Sequence, residues 1–334
     1  MSGAVQFFRG QITTPPMPRE DLTGRTILVT GANSGLGLDA AKILAKLNCS
    51  TIVLACRSLE KGDKAKKVVL QSLPSNAKKP TVIAFELDLC SFSSVVAFSE
   101  RCKDLPRIDA AILNAGVDMQ EFVLAEGYET TITVNVISTF LLTLLLLPTM
   151  RLSAKKYNIV PNIAIVGSAV HFWANPKDLT TPAEGQILKA LSDPKTADMK
   201  ARYFLSKLPV MLLVKYLAAI LTKSAQSDPN GKPLVILNNV APGFCQTNLL
   251  RAHKEFSAKV MDRVIGRKSE HGARTLVHGA VAGKETHGQY LSECVVKNYS
   301  PFVKSAEGDR TAARLWQEVS AIYEEVKPGC TKVL

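Results

Sequence analysis

The chain has 334 residues with 46% hydrophobic and 21% charged side chains, the balance of a soluble globular protein able to bury a core in one large domain or two small ones. Its net charge of +12 comes from lysines spread among acidic residues without interleaved aromatics, which argues against a nucleic-acid partner and leaves some attraction for a polyanionic cofactor. The seven cysteines form no CxxC pair and no cluster with histidine at metal-ligand spacing, so reduced thiols in the cytoplasm are expected and no metal.

Taken in chain order, residues 1–23 carry prolines at 15, 16 and 18 and form an N-terminal arm before the first strand. No long apolar core follows a basic start, so no secretory signal is expected. From Arg25 onward, short β-branched runs alternate with helix-length segments. The runs TILVT (26–30), STIVLA (50–55), TVIAFEL (81–87), DAAILN (109–114), NIAIVG (162–167) and LVILNNV (234–240) are nearly continuous in apolar residues. Strands buried on both faces have this composition. Candidate helices begin near Gly35, Leu59, Ser91, Gly127 and Ala201. The rhythm predicts an α/β fold, a doubly wound parallel sheet of about seven strands with helices on both faces.

The apolar run from Phe140 to Leu147 is closed by Pro148 and is shorter than the ~20 residues a membrane span needs, so no stable membrane span is expected. Segment 169–200 contains Pro176, Pro182 and Pro194 and breaks the rhythm as an inserted loop near the candidate site. Segment 244–285 is read as a non-strand cover over the substrate, GQYLSECVV (288–296) as a last strand, and 309–326 as an amphipathic helix. With no internal repeat and no linker, residues 1–334 form a single domain.

Two features point to a dinucleotide. The first strand runs into Thr30-Gly31-Ala32-Asn33-Ser34-Gly35-Leu36-Gly37, and a helix follows. Glycines allow a sharp turn and close approach to a pyrophosphate, and a helix N-terminus offers free N–H groups. The second strand ends Ala55-Cys56-Arg57-Ser58, without the carboxylate that bonds a ribose 2′-OH. The planar fork of Arg57 suits a 2′-phosphate instead, which favours NADP(H).

From about residue 24 to residue 296 the chain resembles the short-chain dehydrogenase/reductase family with its Rossmann fold. The resemblance rests on the turn at 30–37, Asp88-Leu89, Asn114-Ala115-Gly116, Asn135, Ser168, Tyr203-x-x-x-Lys207 and Pro242-Gly243-x-x-x-Thr247, all in family order. It implies a catalytic set of Ser168, Tyr203, Lys207 and Asn135. Tyr203 and Lys207 stand four apart on one helix face. A free tyrosine titrates near pH 10, and a nearby ammonium is expected to lower it.

By resemblance, Ser168 bonds the substrate oxygen, Lys207 holds the nicotinamide ribose, and Asn135 supports Lys207 through water. Asp88 and Leu89 border the adenine, Asn114 in the cofactor-binding set supports the central strand, Ala115 and Gly116 lie along the cofactor, and Pro242, Gly243 and Thr247 stand at the nicotinamide end. Asp88 and Thr247 also read as helix caps.

The 35 positions between Ser168 and Tyr203 exceed the family's usual dozen. This lengthened form resembles the retinol-dehydrogenase-like branch and its fungal secondary-metabolite ketoreductases. That implies an apolar carbonyl or alcohol substrate and a role in biosynthesis. His171, Phe172 and Trp173 are candidate pocket residues, with a structural role the alternative for each. Pro209 falls in the Tyr203–Lys207 helix and removes one of its hydrogen bonds. The helices around 128–147 and 201–222 are apolar on more than one face; they pair in a homodimer or are covered by the insertion in a monomer. Three functions stay open: NADPH-dependent hydride transfer, a redox-neutral isomerase, dehydratase or cyclisation catalyst on the same fold, and a non-catalytic nucleotide-binding scaffold.

Overall fold

The computed structural model describes residues 3–224, 233–246 and 266–334. A short helix α1 (Gly3–Ile12) precedes β1 (Thr26–Thr30), α2 (Gly35–Lys46), β2 (Thr51–Cys56), α3 (Leu59–Gln71), β3 (Thr81–Glu86), α4 (Phe92–Cys102) and β4 (Ala110–Leu113). A small hairpin, β5 (Leu124–Ala125) and β6 (Tyr128–Glu129), leads into a long helix. That helix comprises α5 (Thr130–Ile132), a π-helical stretch (Thr133–Ser138) and α6 (Thr139–Tyr157). Then come β7 (Asn162–Val166), α7 (Lys177–Thr180), α8 (Ile187–Leu191), α9 (Arg202–Lys223), β8 (Ile236–Ala241), α10 (Ser269–Val281), β9 (Tyr290–Ser292), β10 (Val295–Lys297) and α11 (Ala306–Val326).

The main sheet runs β10-β9-β8-β7-β4-β1-β2-β3. Its seven strands from β9 to β3 are parallel, as the continuous apolar runs predict. Helices α4, α6, α9 and α11 bury their apolar sides on one face of the sheet. Helices α2, α3 and α10 do so on the other. The chain reverses its winding between β1 and β4, and in open α/β sheets ligands bind outside the strand ends at such a switch point.

Four expectations need correction. Residues 288–296 form two antiparallel strands joined at Glu293 and Cys294, both with positive φ (52° and 60°), the backbone of a two-residue hairpin turn. Residues 3–12 of the arm are helical. Residues 269–281 are not part of a cover, since α10 packs into the core beside α2. Pro148 does not end its helix, which continues to Tyr157.

The unit Thr130–Tyr157 and α9 are each long and apolar enough to cross a membrane, yet 94% and 72% of their most apolar windows are buried within the fold. Part of the cover of α9 comes from α11. Its Glu318 carboxylate accepts from the Ile187 and Leu188 N–H groups at 2.9 and 2.8 Å, and Arg314 donates to the Thr180 and Pro182 carbonyls. Tyr323 donates to the Ile137 carbonyl at 2.9 Å. The insertion therefore begins beside Ser168, and its helices are held to α11.

Candidate active site

The turn after β1 is shaped for close approach. Gly31 has φ of 65°, and a Cβ on Gly37 would come within 2.5 Å of the Gly31 carbonyl oxygen. Asn114, just past β4, donates to the Thr30 carbonyl at 2.9 Å and pins this turn across the switch point. The Ala115 N–H donates to Thr30 Oγ1 at 2.9 Å. Gly35 opens α2, and Ser34 precedes it in extended backbone without capping it by its side chain. Asn33 is exposed and Leu36 half-buried against α10. The result is a helix N-terminus facing a cradle of backbone, which fits a pyrophosphate.

At the end of β2, Ser58 accepts from the Lys61 N–H and so caps α3, while Arg57 is exposed and close enough to Cys90 to act on it electrostatically. Asp88 accepts from the Cys90 N–H at 2.9 Å, closing the turn before α4 without capping that helix. Ser91 is the cap of α4 itself. The Leu89 side chain is in the core.

The catalytic candidates converge at the ends of β4 and β7. Ser168 stands two residues beyond β7, and its hydroxyl is hydrogen-bonded to Tyr203 on the first turn of α9. Lys207, one turn on, lies with Nζ 5.4 Å from the Tyr203 ring centroid and donates to the Val166 carbonyl at 3.0 Å. Gly116 sits against both Asn135 and Lys207; a Cβ there would be 3.0 Å from Asn135 Oδ1 and 3.8 Å from Lys207 Nζ. Asn135 holds the Val117 backbone from both sides, accepting its N–H and donating to its carbonyl at 2.9 Å each, and donates to Ser206 Oγ at 3.0 Å. It does so from within the π-helical stretch, a feature frequent at functional sites.

The electrostatics differ from the simple expectation for a tyrosine beside a lysine. Burial pushes the Tyr203 hydroxyl up from its ordinary value, Asp118 pushes it further, and the Ser168 hydrogen bond opposes both. Burial lowers Lys207 to about 8, against the pull of Asp118. Burial dominates, and Tyr203 is a neutral phenol at neutral pH.

Among the pocket candidates, His171 is 2% exposed and both its ring nitrogens are engaged. Nδ1 lies 2.8 Å from the Ser168 carbonyl oxygen, and Nε2 accepts from the Ser300 N–H at 3.2 Å. With a backbone carbonyl at one nitrogen and an N–H at the other, the neutral Nδ1–H tautomer satisfies both. Phe172 lines a narrow cavity, and Trp173 is 44% exposed beside Phe7. Pro242 and Gly243 follow β8 directly; Thr247 lies outside the described residues. Pro209 sits inside α9, which continues past it, leaving the Leu205 carbonyl without its helical donor.

Asp118, Ser206 and the buried pair Arg202–Glu129 (3.5 Å), which fixes the start of α9, were not singled out by the sequence. Asp118 follows Asn114-Ala115-Gly116 by two positions, Arg202 directly precedes Tyr203 and Ser206 directly precedes Lys207, and that closeness to the motifs is their sequence signal. Among the described residues no group of His, Cys, Asp and Glu could hold a metal ion.

A family model described as short chain dehydrogenase matches residues 25–175. The chain is 37% identical to Short-chain dehydrogenase anuD of Penicillium roqueforti over 98% of this chain and 84% of that one. It is 36% identical to Short chain dehydrogenase/reductase dmxR8 of a Cryptosporiopsis species, covering 95% of each. In fold it is similar to the short chain dehydrogenase from Shigella flexneri (TM-score 0.58, 20% identity, 84% of this chain and 94% of that one). It is likewise similar to 3-oxoacyl (acyl-carrier-protein) reductase from Agrobacterium tumefaciens with NADP bound (TM-score 0.58, 19% identity, 81% and 93%).

Proposed function

Because the chain belongs to the short-chain dehydrogenase/reductase family, an oxidoreductase family acting on carbonyl–alcohol pairs, we propose that it reduces an apolar ketone with NADPH, as a step in the biosynthesis of a secondary metabolite. The observation that carries the chemistry is the hydrogen bond between Ser168 and a neutral Tyr203, with Lys207 one turn behind.

The glycine cradle at 31–37 and the α2 N-terminus are suited to hold the pyrophosphate, Arg57 the 2′-phosphate, and Lys207 the nicotinamide ribose. The bound dinucleotide supplies a hydride. Tyr203, kept protonated by burial, gives its proton to the carbonyl oxygen as that oxygen gains charge, so that C=O becomes CH–OH. Ser168 donates to the same oxygen and stabilises the developing negative charge. Asn135 and Ser206 hold the floor of the site. A phenol that stays protonated at neutral pH is in the state a general acid needs at the start of a reduction.

Incubation of the protein with 4-deuterated NADPH and a panel of aryl and alkyl ketones tests this. Deuterium should appear on the carbinol carbon of at least one product. Consumption of a substrate with no deuterium transferred and no change at 340 nm would instead support a redox-neutral catalyst.

A further inference from the structure

An arginine directly precedes the proton donor, and it stands where a cation is least favoured. Arg202 opens α9 and is 2% exposed. A positive charge at a helix N-terminus opposes the helix dipole, and burying it adds the cost of desolvation. Carboxylates from three separate segments offset that cost. Glu129, fully buried at the end of β6, places Oε2 3.5 Å from Arg202 Nε. Asp178 on α7 and Asp198 in the turn before α9 act on the guanidinium electrostatically. Asp198 also accepts from the Lys200 and Ala201 N–H groups at 3.0 and 3.3 Å, which shapes the entry to the helix. Arg202 Nε and Nη1 make no hydrogen bond among the described residues. A buried ion pair of this kind is a weak source of stability, and an arrangement that breaks local rules is expected beside a working site.

Glu129 serves a second helix as well. Its Oε1 accepts from the Thr131 N–H at 2.8 Å and its Oε2 from the Ile132 N–H at 3.2 Å, which caps the helical unit that carries Asn135. Its own N–H donates to Ser192 Oγ at 3.0 Å, just past α8 of the insertion. The starts of two helices thus meet at one ion pair. One turn further along α9, Asn135 donates to Ser206 Oγ at 3.0 Å, and Ser206 donates to the Tyr203 carbonyl at 2.8 Å. Tyr203 lies between these two cross-ties, and the insertion supplies Asp178, Ser192 and Asp198 to the first of them.

We propose that Glu129 and Arg202 are a positioning pair, which fixes the first turn of α9 against the Asn135 helix so that the Tyr203 hydroxyl stays in line with Ser168. The 35 positions between Ser168 and Tyr203 then have a role in the chemistry, since the added residues complete the pair. The inference rests on the reductase reading above and extends it to residues that touch neither the carbonyl nor the hydride donor.

Removing one partner leaves the other charge buried and unpaired, which endangers the fold. The double variant Glu129→Gln, Arg202→Met removes both charges at similar volume, and Arg202→Lys keeps the charge without the planar fork. Circular dichroism establishes that each is folded, and fluorescence titration gives NADPH affinity. Steady-state kinetics in H2O and D2O follow a ketone that the unaltered protein reduces. In the folded double variant kcat should fall about ten- to a hundredfold, while NADPH affinity and the ketone KM stay within about twofold. The solvent isotope effect on kcat should rise, because proton transfer from a displaced Tyr203 slows relative to the other steps. Arg202→Lys should lie between the double variant and the unaltered protein. A pair that is structural alone would move Tm and leave kcat and the isotope effect where they were. Full turnover with an unchanged isotope effect in the double variant overturns the inference, and the same result in Arg202→Lys does so if the double variant does not fold. A loss of NADPH affinity as large as the loss of kcat overturns it too. An unaltered protein that binds NADPH and reduces no ketone defeats the reductase reading itself, and the inference with it.

Discussion

The Lys207 ammonium donates to the Val166 carbonyl at 3.0 Å while it stands 5.4 Å from the Tyr203 ring centroid. The lysine is therefore fixed to the end of β7, on the strand that also delivers Ser168, and one backbone contact aligns the two halves of the site. Burial lowers Lys207 to about 8 from 10.5, so its charge is retained below about pH 8 and lost above. The rate of ketone reduction should be flat up to about pH 8 and then fall with the loss of one proton. Lys207→Arg, which stays charged, should move that fall to higher pH. For stability the sign is reversed: the buried ammonium is a cost below pH 8 that is relieved as pH rises from about 8 to 10.5. A pH–rate profile with no break between 7 and 9.5 would contradict this placement.

Tyr203→Phe removes the proton donor and keeps the ring. Turnover should fall between about a hundred- and ten-thousandfold, with NADPH affinity close to that of the unaltered protein. Stopped-flow absorbance at 340 nm measures the first and fluorescence titration the second. Full turnover in this variant would remove Tyr203 from the chemistry.

His171 supports Ser168 from behind. Burial lowers its imidazole to about 4, against an ordinary 6.5, with the Ser168 carbonyl pulling the other way. A folded-state pKa below the unfolded one gives stability that is complete above about pH 6.5 and lost as pH falls towards 4. The loss is up to about 3 kcal/mol. The fall in Tm between pH 6.5 and 4.5 should be smaller in His171→Gln than in the unaltered protein, and that variant should also lower kcat by loosening Ser168. Parallel Tm curves would refute the buried neutral imidazole.

α11 packs along α9 and covers part of a face that could pair two subunits, which favours a monomer. Light scattering should give a mass near 36.2 kDa, that of one chain. A mass of twice that value would mean that another surface makes a dimer.

How far the sequence carried is clearest strand by strand. β1, β2, β4, β7 and β8 were legible because each is buried on both faces and written as an apolar run, and the edge strand β3 because it too is a β-branched, largely apolar run. The hairpin at 290–297 was not, because Glu293 and Cys294 are unusual residues for a turn that needs two positive φ angles. Pro148 misled and Pro209, read from the start as lying inside its helix, did not. Each costs one hydrogen bond, but the surrounding core keeps the helix going. The glycine turn and the Tyr203–Lys207 pair stand out by local spacing, whereas Ser168, 35 positions before Tyr203, was singled out by the resemblance. The contacts of His171 and α1 were not legible, since their partners Ser300 and Phe244 lie 129 and 233 positions away.

The central claim is an NADPH-dependent reductase whose cofactor choice is made at Arg57, and a paired titration tests it most directly. NADPH and NADH are each titrated into the unaltered protein and into Arg57→Ala, with binding followed by fluorescence. The account predicts tighter binding of NADPH, by about tenfold or more, and loss of that preference in Arg57→Ala through NADPH alone. Equal affinity for both nucleotides, or a preference untouched by the substitution, would contradict the assignment of Arg57. Absence of binding by either would contradict the account as a whole.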